Sequence, residues 1–171
     1  DVLLLKFTPS GVLEWQRTWG GDGEDVGTAI TTDSSSSFYV TGYTDSFGVG
    51  ERDVFLMKVN SSGHLLWQQT CGGQGRDEGH SIAADAAQNL YIAGYTCNFG
   101  GGSCNIILLK FNSSGGLLWQ KALGGSNDDK GFATKPDFEG NVYVAGYTAG
   151  FGAGLEDVFL AKLNSSGTIL W

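Results

Sequence analysis

Between Asp53 and Val59 the chain reads DVFLMKV. If that run is extended, Phe55, Met57 and Val59 point to one side and Val54 and Leu56 to the other. Both faces are apolar, so the pattern predicts a strand covered on both sides. The following run, His64–Thr70 (HLLWQQT), mixes Leu66 and Trp67 with Gln68 and Gln69, as an outer strand should. Upstream lie Gly27–Asp33 (GTAITTD), rich in small residues, and Phe38–Thr44 (FYVTGYT). All four runs are bounded by Gly, Ser, Asn or Asp, the punctuation of strands. No segment sustains a 3.6-residue apolar period, which predicts almost no helix.

These four elements recur. DVLLLKF, DVFLMKV, NIILLKF and DVFLAKL begin at Asp1, Asp53, Asn105 and Asp157, a step of 52 residues without insertion. Lys6, Lys58, Lys110 and Lys162 keep step, as do Trp15, Trp67, Trp119 and Trp171. Gly42-Tyr43-Thr44 returns at 94–96 and 146–148, Asp25 as Asp77 and Asp129, and Asp33 as Asp85 and Asp137. Tandem repetition of one supersecondary unit means that neighbouring copies bury each other's faces.

We name the strands of one unit A (27–33), B (38–44), C (53–59) and D (64–70). A buried C strand, an outer D strand and small residues at Ala29, Ala83 and Ala133 in crowded A strands fit four-stranded sheets stacked about an axis. A β-solenoid would use shorter rungs, and a simple sandwich needs no tandem repeat of this regularity. The predicted fold is therefore all-β: a β-propeller of four-stranded antiparallel blades, present as about three and a half blades of a partial or open propeller. The expected division is a C–D half blade over 1–23 and blades over 24–75, 76–127 and 128–171. This frame holds four C–D hairpins but three A–B hairpins, so identical copies cannot close a ring by simple association. Three blades also fall below the usual minimum of about four. The chain is expected to be part of a longer propeller, with exposed edges that favour association.

Composition narrows the function classes. The 171 residues include 28 Gly and 2 Pro, with 16% charged residues and a formal net charge of −8. Scattered single cations on an acidic chain lack the footprint of a nucleic-acid binder, so no nucleic-acid partner is expected. No apolar run approaches the roughly 18 residues of a membrane span, so no membrane insertion is expected.

Asp25, Asp77 and Asp129 each lie in a glycine-rich D–A loop, and carboxylates with loop carbonyls suit Ca²⁺. Their neighbours do not repeat, however: Asp22 becomes Gln74 and Ser126. The favoured reading is that each carboxylate accepts hydrogen bonds from loop amides. The lysine at 6, 58, 110 and 162 needs a partner if buried, with the Asp33 or Asp25 set as candidates. Its fourfold repetition marks it as structural rather than catalytic. Cys97 and Cys104 flank the loop CNFGGGSC, and their counterparts Asp45 and Arg52 carry opposite charge. That exchange points to facing positions and a candidate disulfide, as expected in an oxidising compartment. Cys71 matches Trp19 and Leu123 and reads as a small core residue. Asn60, Asn112 and Asn164 open Asn-Ser-Ser-Gly and are glycosylation candidates. The first copy keeps the turn as Thr8-Pro9-Ser10-Gly11 and drops the sequon, so the turn is the shared requirement. Tyr43, Tyr95, Tyr147, Phe47, Phe99, Phe151 and the repeated tryptophans read as packing between blades. The two histidines, His64 and His80, occupy different repeat positions and form no pair. The least repetitive positions are Phe132, Lys135 and Pro136 in the third strand A; they compose no mechanism. No catalytic residue, cofactor or phosphate-cradling loop emerges.

The unit Gly-Gly-x3-Asp-x-Gly, then Asp33, YVTGYT, Phe47-Gly48, DVFLMK, NSSG and LLWQ resembles the bacterial SBBP-type β-propeller repeat family along the whole chain. The resemblance implies several blades in large secreted or surface proteins, and no catalytic motif. The expected function is a non-catalytic extracellular or cell-surface binding, adhesion or structural scaffold module. Its partner would be a protein or carbohydrate ligand, or neighbouring copies of itself. Two alternatives remain: a repeat unit of an extracellular filament or surface layer, and a non-catalytic part of a larger secreted enzyme, such as a carbohydrate-active one.

Overall fold

In the computed structural model, residues 1–100 and 103–171 are described and contain strands and turns but no helix. Thirteen strands follow in order: β1 (Val2–Phe7), β2 (Leu13–Trp19), β3 (Asp25–Thr32), β4 (Phe38–Thr44), β5 (Asp53–Val59), β6 (Leu65–Cys71), β7 (Asp77–Ala84), β8 (Leu90–Thr96), β9 (Asn105–Phe111), β10 (Leu117–Leu123), β11 (Asp129–Pro136), β12 (Val142–Thr148) and β13 (Asp157–Leu163). Every strand pair is antiparallel, and the strand order in each sheet is the chain order. The sheets are β1–β2, β3–β4–β5–β6, β7–β8–β9–β10 and β11–β12–β13. The fold is all-β, an open propeller-like repeat.

Two strands differ in extent from the pattern reading, strand A ending at Thr32 rather than Asp33. Strand A starts at Asp25 rather than Gly27, because Asp25 and Val26 already pair with Thr44 and Tyr43. Strand D runs Leu65–Cys71, one residue later than expected at each end. A fourth C–D hairpin was also expected. There the outer strand is reduced to one bridge, Leu163 with Ile169.

The inner strands stack. β7 packs between β3 and β11, and the apolar residues of β5 and β9 divide between the cores on their two sides. Val54 and Leu56 join Ile82, Leu90, Ile92, Ile107, Leu109 and Phe111 in one core. Phe55, Met57 and Val59 join Val2 and Val40 in another. On the far side of β9, Ile106 and Leu108 pack with Val142, Val144, Ala161 and Leu163. Each core is thus a junction between successive sheets, which is why both faces of a C strand must be apolar.

Repeated polar and aromatic residues clamp these junctions. The indole N–H of Trp15 donates to the carbonyl of Ser61, and that of Trp119 to Ser165. The rings of Trp15, Trp67 and Trp119 lie over Gly63, Gly115 and Gly167, in the C–D turn of the next unit. The repeated lysine sits over the repeated B-strand tyrosine, as in Lys58 over Tyr39, Lys110 over Tyr91 and Lys162 over Tyr143. Lys58 pairs with Asp33 at 3.0 Å and Lys162 with Asp137 at 3.7 Å. Lys110 instead donates to the carbonyl of Ser165, and Lys6 pairs with Glu14. Where blade 1 has Ser37, the next two have Asn89 and Asn141, whose amides bond an oxygen of Asp85 and of Asp137; Lys162 shares that oxygen of Asp137 at longer range, whereas Lys110 turns to the Ser165 carbonyl.

Candidate functional site at the inner edge

Most repeated residues are consumed by the fold. Asp25 accepts bonds from the Gly21 amide at 3.0 Å, the Ser46 hydroxyl at 2.8 Å and the Thr44 hydroxyl. Asp77 accepts from the Gly73 amide and the Asn98 side chain, and Asp129 from the Gly125 amide. Each of these calcium candidates serves its own D–A turn. Among the described residues no three His, Cys, Asp or Glu side chains gather as a metal cage would require. Asn60 accepts the amides of Ser62 and His64, Asn112 those of Ser114 and Gly116, and Asn164 those of Ser166 and Thr168. Thr8 closes the first copy of this turn by accepting the amide of Val12. The three sequons thus lie in turns beneath the preceding unit's tryptophan.

Cys97 and Cys104 are joined by a disulfide, and Gly101 and Gly102 of their loop lie outside the described residues. At the equivalent place in blade 1, Arg52 pairs with Asp45 at 3.3 Å. Cys71 is free and packs at the edge of a core. Burial, helped by Asp53 and Asp77, pushes its thiol up to about 11, so it stays protonated and unreactive at neutral pH.

The positions that break the repeat converge elsewhere. Each A strand bulges at one residue: the register shifts between Gly27 and Ala29, between Gly79 and Ser81, and between Gly131 and Ala133. The bulged residues are Thr28, His80 and Phe132, and a bulge re-aims its side chain. Thr28 donates to the carbonyls of Thr41 and Gly79, while His80 Nδ1 lies 3.1 Å from the Gly131 carbonyl, so both reach the next blade. The His80 ring stacks on Phe132 at 5.3 Å and lies 5.6 Å from Tyr95; Phe132 in turn meets Tyr147. His80 Nε2 faces Glu78 at 3.4 Å. Arg52 links Glu78, Glu24 and Asp45 and covers the Tyr43 ring, and Lys130 lies over Tyr95.

Burial resists ionisation of Glu78, but bonds from Arg52, Tyr95 and His80 outweigh it and hold its pKa below the usual value. Burial and the adjoining Glu78 raise the Tyr95 phenol. Glu78 is therefore held as a carboxylate among the aromatic faces of the row. Phe132 is 51% exposed, an apolar platform against His80 and Tyr147, with Lys130 and Glu78 both at the neighbouring Tyr95. Such a surface can bind a polar partner.

Sequence reasoning picked out Phe132 and the facing 45/52 positions but missed Glu78, His80 and Lys130 as their companions. The available signal was the sequence of changes at two strand-A positions: Val26, Glu78, Lys130 and Thr28, His80, Phe132. The D–A and B–C loops meet beside this row. Asp45 donates its amide to the Glu24 carbonyl, and Gly75 donates to Asn98.

A family model agrees with this architecture. Residues 67–98 match the family model SBBP, described as a beta-propeller repeat, so the chain carries that repeat from the end of one blade into the next. An uncharacterized WD repeat-containing protein, L264 of Acanthamoeba polyphaga mimivirus, is 29% identical over 115 residues. That match covers 54% of this chain and 8% of the relative. A crystal structure of a protein of unknown function from Bacteroides caccae aligns with a TM-score of 0.38 and 12% identity, over 96% of this chain and 72% of its own.

Proposed function

We infer that the chain is a non-catalytic binding and scaffold module. Its stacked blades present the His80–Phe132 row and the adjoining loops to a protein or carbohydrate partner outside the cell. One observation carries this reading. Side chains that keep the repeat are spent between or within blades, whereas four that break it, Glu78, His80, Lys130 and Phe132, gather on one partly exposed surface. In a repeat architecture the departures from repetition are where function is expected. The description of the matched repeat family supports a module of this kind. The Cys97–Cys104 bridge supports an oxidising, extracellular setting.

The test is a glycan and peptide array probed with the wild-type chain, then with K130A and F132A at matched folded content. Array ligands that lose at least tenfold in affinity with both variants support the reading. Ligands that bind both variants as well as wild type would place the surface elsewhere. Turnover of any bound ligand would contradict the non-catalytic assignment.

A further inference from the structure

We propose that the junction between blade 1 and blade 2 holds a docking pocket for one tryptophan side chain, presented by a protein partner. The pocket is built on β9 and β10, the outer strands of blade 2, whereas the His80–Phe132 row is built on the innermost strands. The proposal therefore goes beyond the reading of that row and does not depend on it.

The occupant is visible one repeat earlier. Trp19, at the end of β2, lays its indole on blade 1. Its ring centroid lies 4.6 Å from that of Phe55 and 5.2 Å from that of Phe47, and its N–H donates to the side-chain oxygen of Gln68 at 2.6 Å. Two apolar rings and one acceptor thus define the seat of an indole. The 52-residue step carries Phe47, Phe55 and Gln68 to Phe99, Ile107 and Gln120, and Trp19 to Cys71. Cys71 packs against the core that contains Ile107. It brings no ring to Phe99 and no indole N–H to Gln120.

The place of that indole is open. A cavity of about 110 Å³ is lined by Phe99, Ile107, Gln120, Lys121 and Ala122. Phe99, Ile107 and Gln120 are the equivalents of the three residues that hold Trp19. Ala122 and Gln120 pair with Ile107 and Leu109, so all four side chains share the face of blade 2 that is turned to blade 1. Phe99 and Gln120 are exposed, so a partner can reach the seat from solvent. At the next junction Leu123 stands at the position of Trp19 and is buried, with Phe159 packed on the same core. Of the three residues at this position, Cys71 is the smallest and the one that leaves the seat unfilled.

Size and chemistry select the ligand. The cavity is far smaller than the roughly 300–1,000 Å³ of a small-molecule site. It suits a single aromatic anchor of the kind that dominates protein interfaces. Apolar walls with one oxygen acceptor favour tryptophan, whose N–H takes a partner when buried. Phenylalanine would fill the walls but leave the Gln120 oxygen without a donor.

The test titrates N-acetyl-tryptophanamide into the 171-residue chain and follows the backbone amide resonances. Saturable shifts should centre on Phe99, Ile107 and Gln120. The analogue methylated on the indole nitrogen should bind roughly threefold more weakly, the loss expected for one hydrogen bond, and Gln120→Ala should remove that difference. Cys71→Trp supplies the indole from within the chain, as Trp19 does, and should weaken binding about tenfold or more by steric exclusion, with the melting temperature held or raised. Gln120→Ala, at an exposed position, gives its answer even if the Cys71→Trp chain fails to fold. Absent saturation, shifts confined to other residues, equal binding of the two analogues, or undiminished binding to folded Cys71→Trp would each overturn the proposal. Free indole binding far more tightly than N-acetyl-tryptophanamide would also overturn it, because the pocket would then admit a small molecule and exclude a side chain carried on a backbone.

Discussion

The C–D turn glycines separate the strain of a turn from the contact between blades. Gly11, Gly63 and Gly115 occupy the same turn with φ of +83°, +80° and +85°. Alanine at any of them must adopt the left-handed conformation, which costs about 1–2 kcal/mol. The stiffer unfolded chain returns about half of that, so the net backbone cost is about 1 kcal/mol at each. The surroundings differ. A Cβ on Gly11 meets nothing within 4 Å, whereas on Gly63 or Gly115 it lies 3.1 Å from the ring of Trp15 or Trp67. There the ring must shift or the junction open, adding about 1–2 kcal/mol of overpacking. Gly11→Ala should therefore cost about 1 kcal/mol and Gly115→Ala about 2–3 kcal/mol. Urea unfolding followed by far-UV circular dichroism measures the difference. Hydrogen exchange of β5 and β9 shows whether the loss falls at that junction, as nearest-neighbour stability in a repeat protein requires. In a double-mutant cycle with Trp67→Leu, the excess at Gly115 should vanish. Equal costs at 11 and 115, or an excess that survives removal of the indole, would refute the latch.

Three further outcomes follow from the junction chemistry. Burial, then the nearby Asp77 charge, raises the pKa of Asp53 above the ordinary aspartate value. A raised folded-state pKa gives stability in acid that is lost as pH climbs through it; Asp53→Asn should therefore stabilise the chain at pH 7 and flatten the loss of stability as pH rises above about 4, and a destabilised variant at pH 7 would contradict this. Burial opposes ionisation of Asp33, but bonds from Ser35, Lys58 and Ser37 hold it down to about 2. That contribution is present above the unfolded pKa and lost as pH falls from about 4 towards 2; Lys58→Met should cost roughly 1 kcal/mol at pH 7 and shrink the acid loss, read by thermal melts across pH. Reducing Cys97–Cys104 releases a short loop and should cost about 2–3 kcal/mol, with no such effect in a chain carrying Asp45 and Arg52 equivalents at both positions; a melt unchanged by reductant would exclude a stabilising role.

The strand set was legible because the 52-residue repetition and the period-2 apolar pattern agree at every copy. Opposite charges at 45 and 52, replaced by cysteines at 97 and 104, likewise mark two positions that face each other. What could not be read was which unit a repeated side chain serves. Trp67 lies in its own strand D, yet its ring closes over Gly115, 48 residues ahead. Nor does the pattern show that Asn89 bonds an oxygen of Asp85 while Lys110 turns to the Ser165 carbonyl. The bulge was hidden for a physical reason: an extra residue shifts the period-2 facing by one, and GTAITTD, with Ala29 and Ile30 adjacent among small polar residues, carries no alternation against which that shift would show.

That bulge links the fold to the proposed function. Repetition fixes the junctions, so a substitution there is felt at a packed core and tolerated poorly. A bulged residue on the innermost strand escapes that constraint, since neither ladder partner nor core defines its side chain. The three copies use the freedom differently: Thr28 is tied to two carbonyls, His80 is wedged between Glu78 and Phe132, and Phe132 stands half-exposed. Lys130 and Glu78, two residues before the bulge, vary in the same way. A scaffold held rigid by what repeats can therefore change its binding face at a few positions without disturbing its junctions. This is why the unrepeated inner-edge residues, and not the fourfold lysine or the paired aspartates, are where specificity is to be sought.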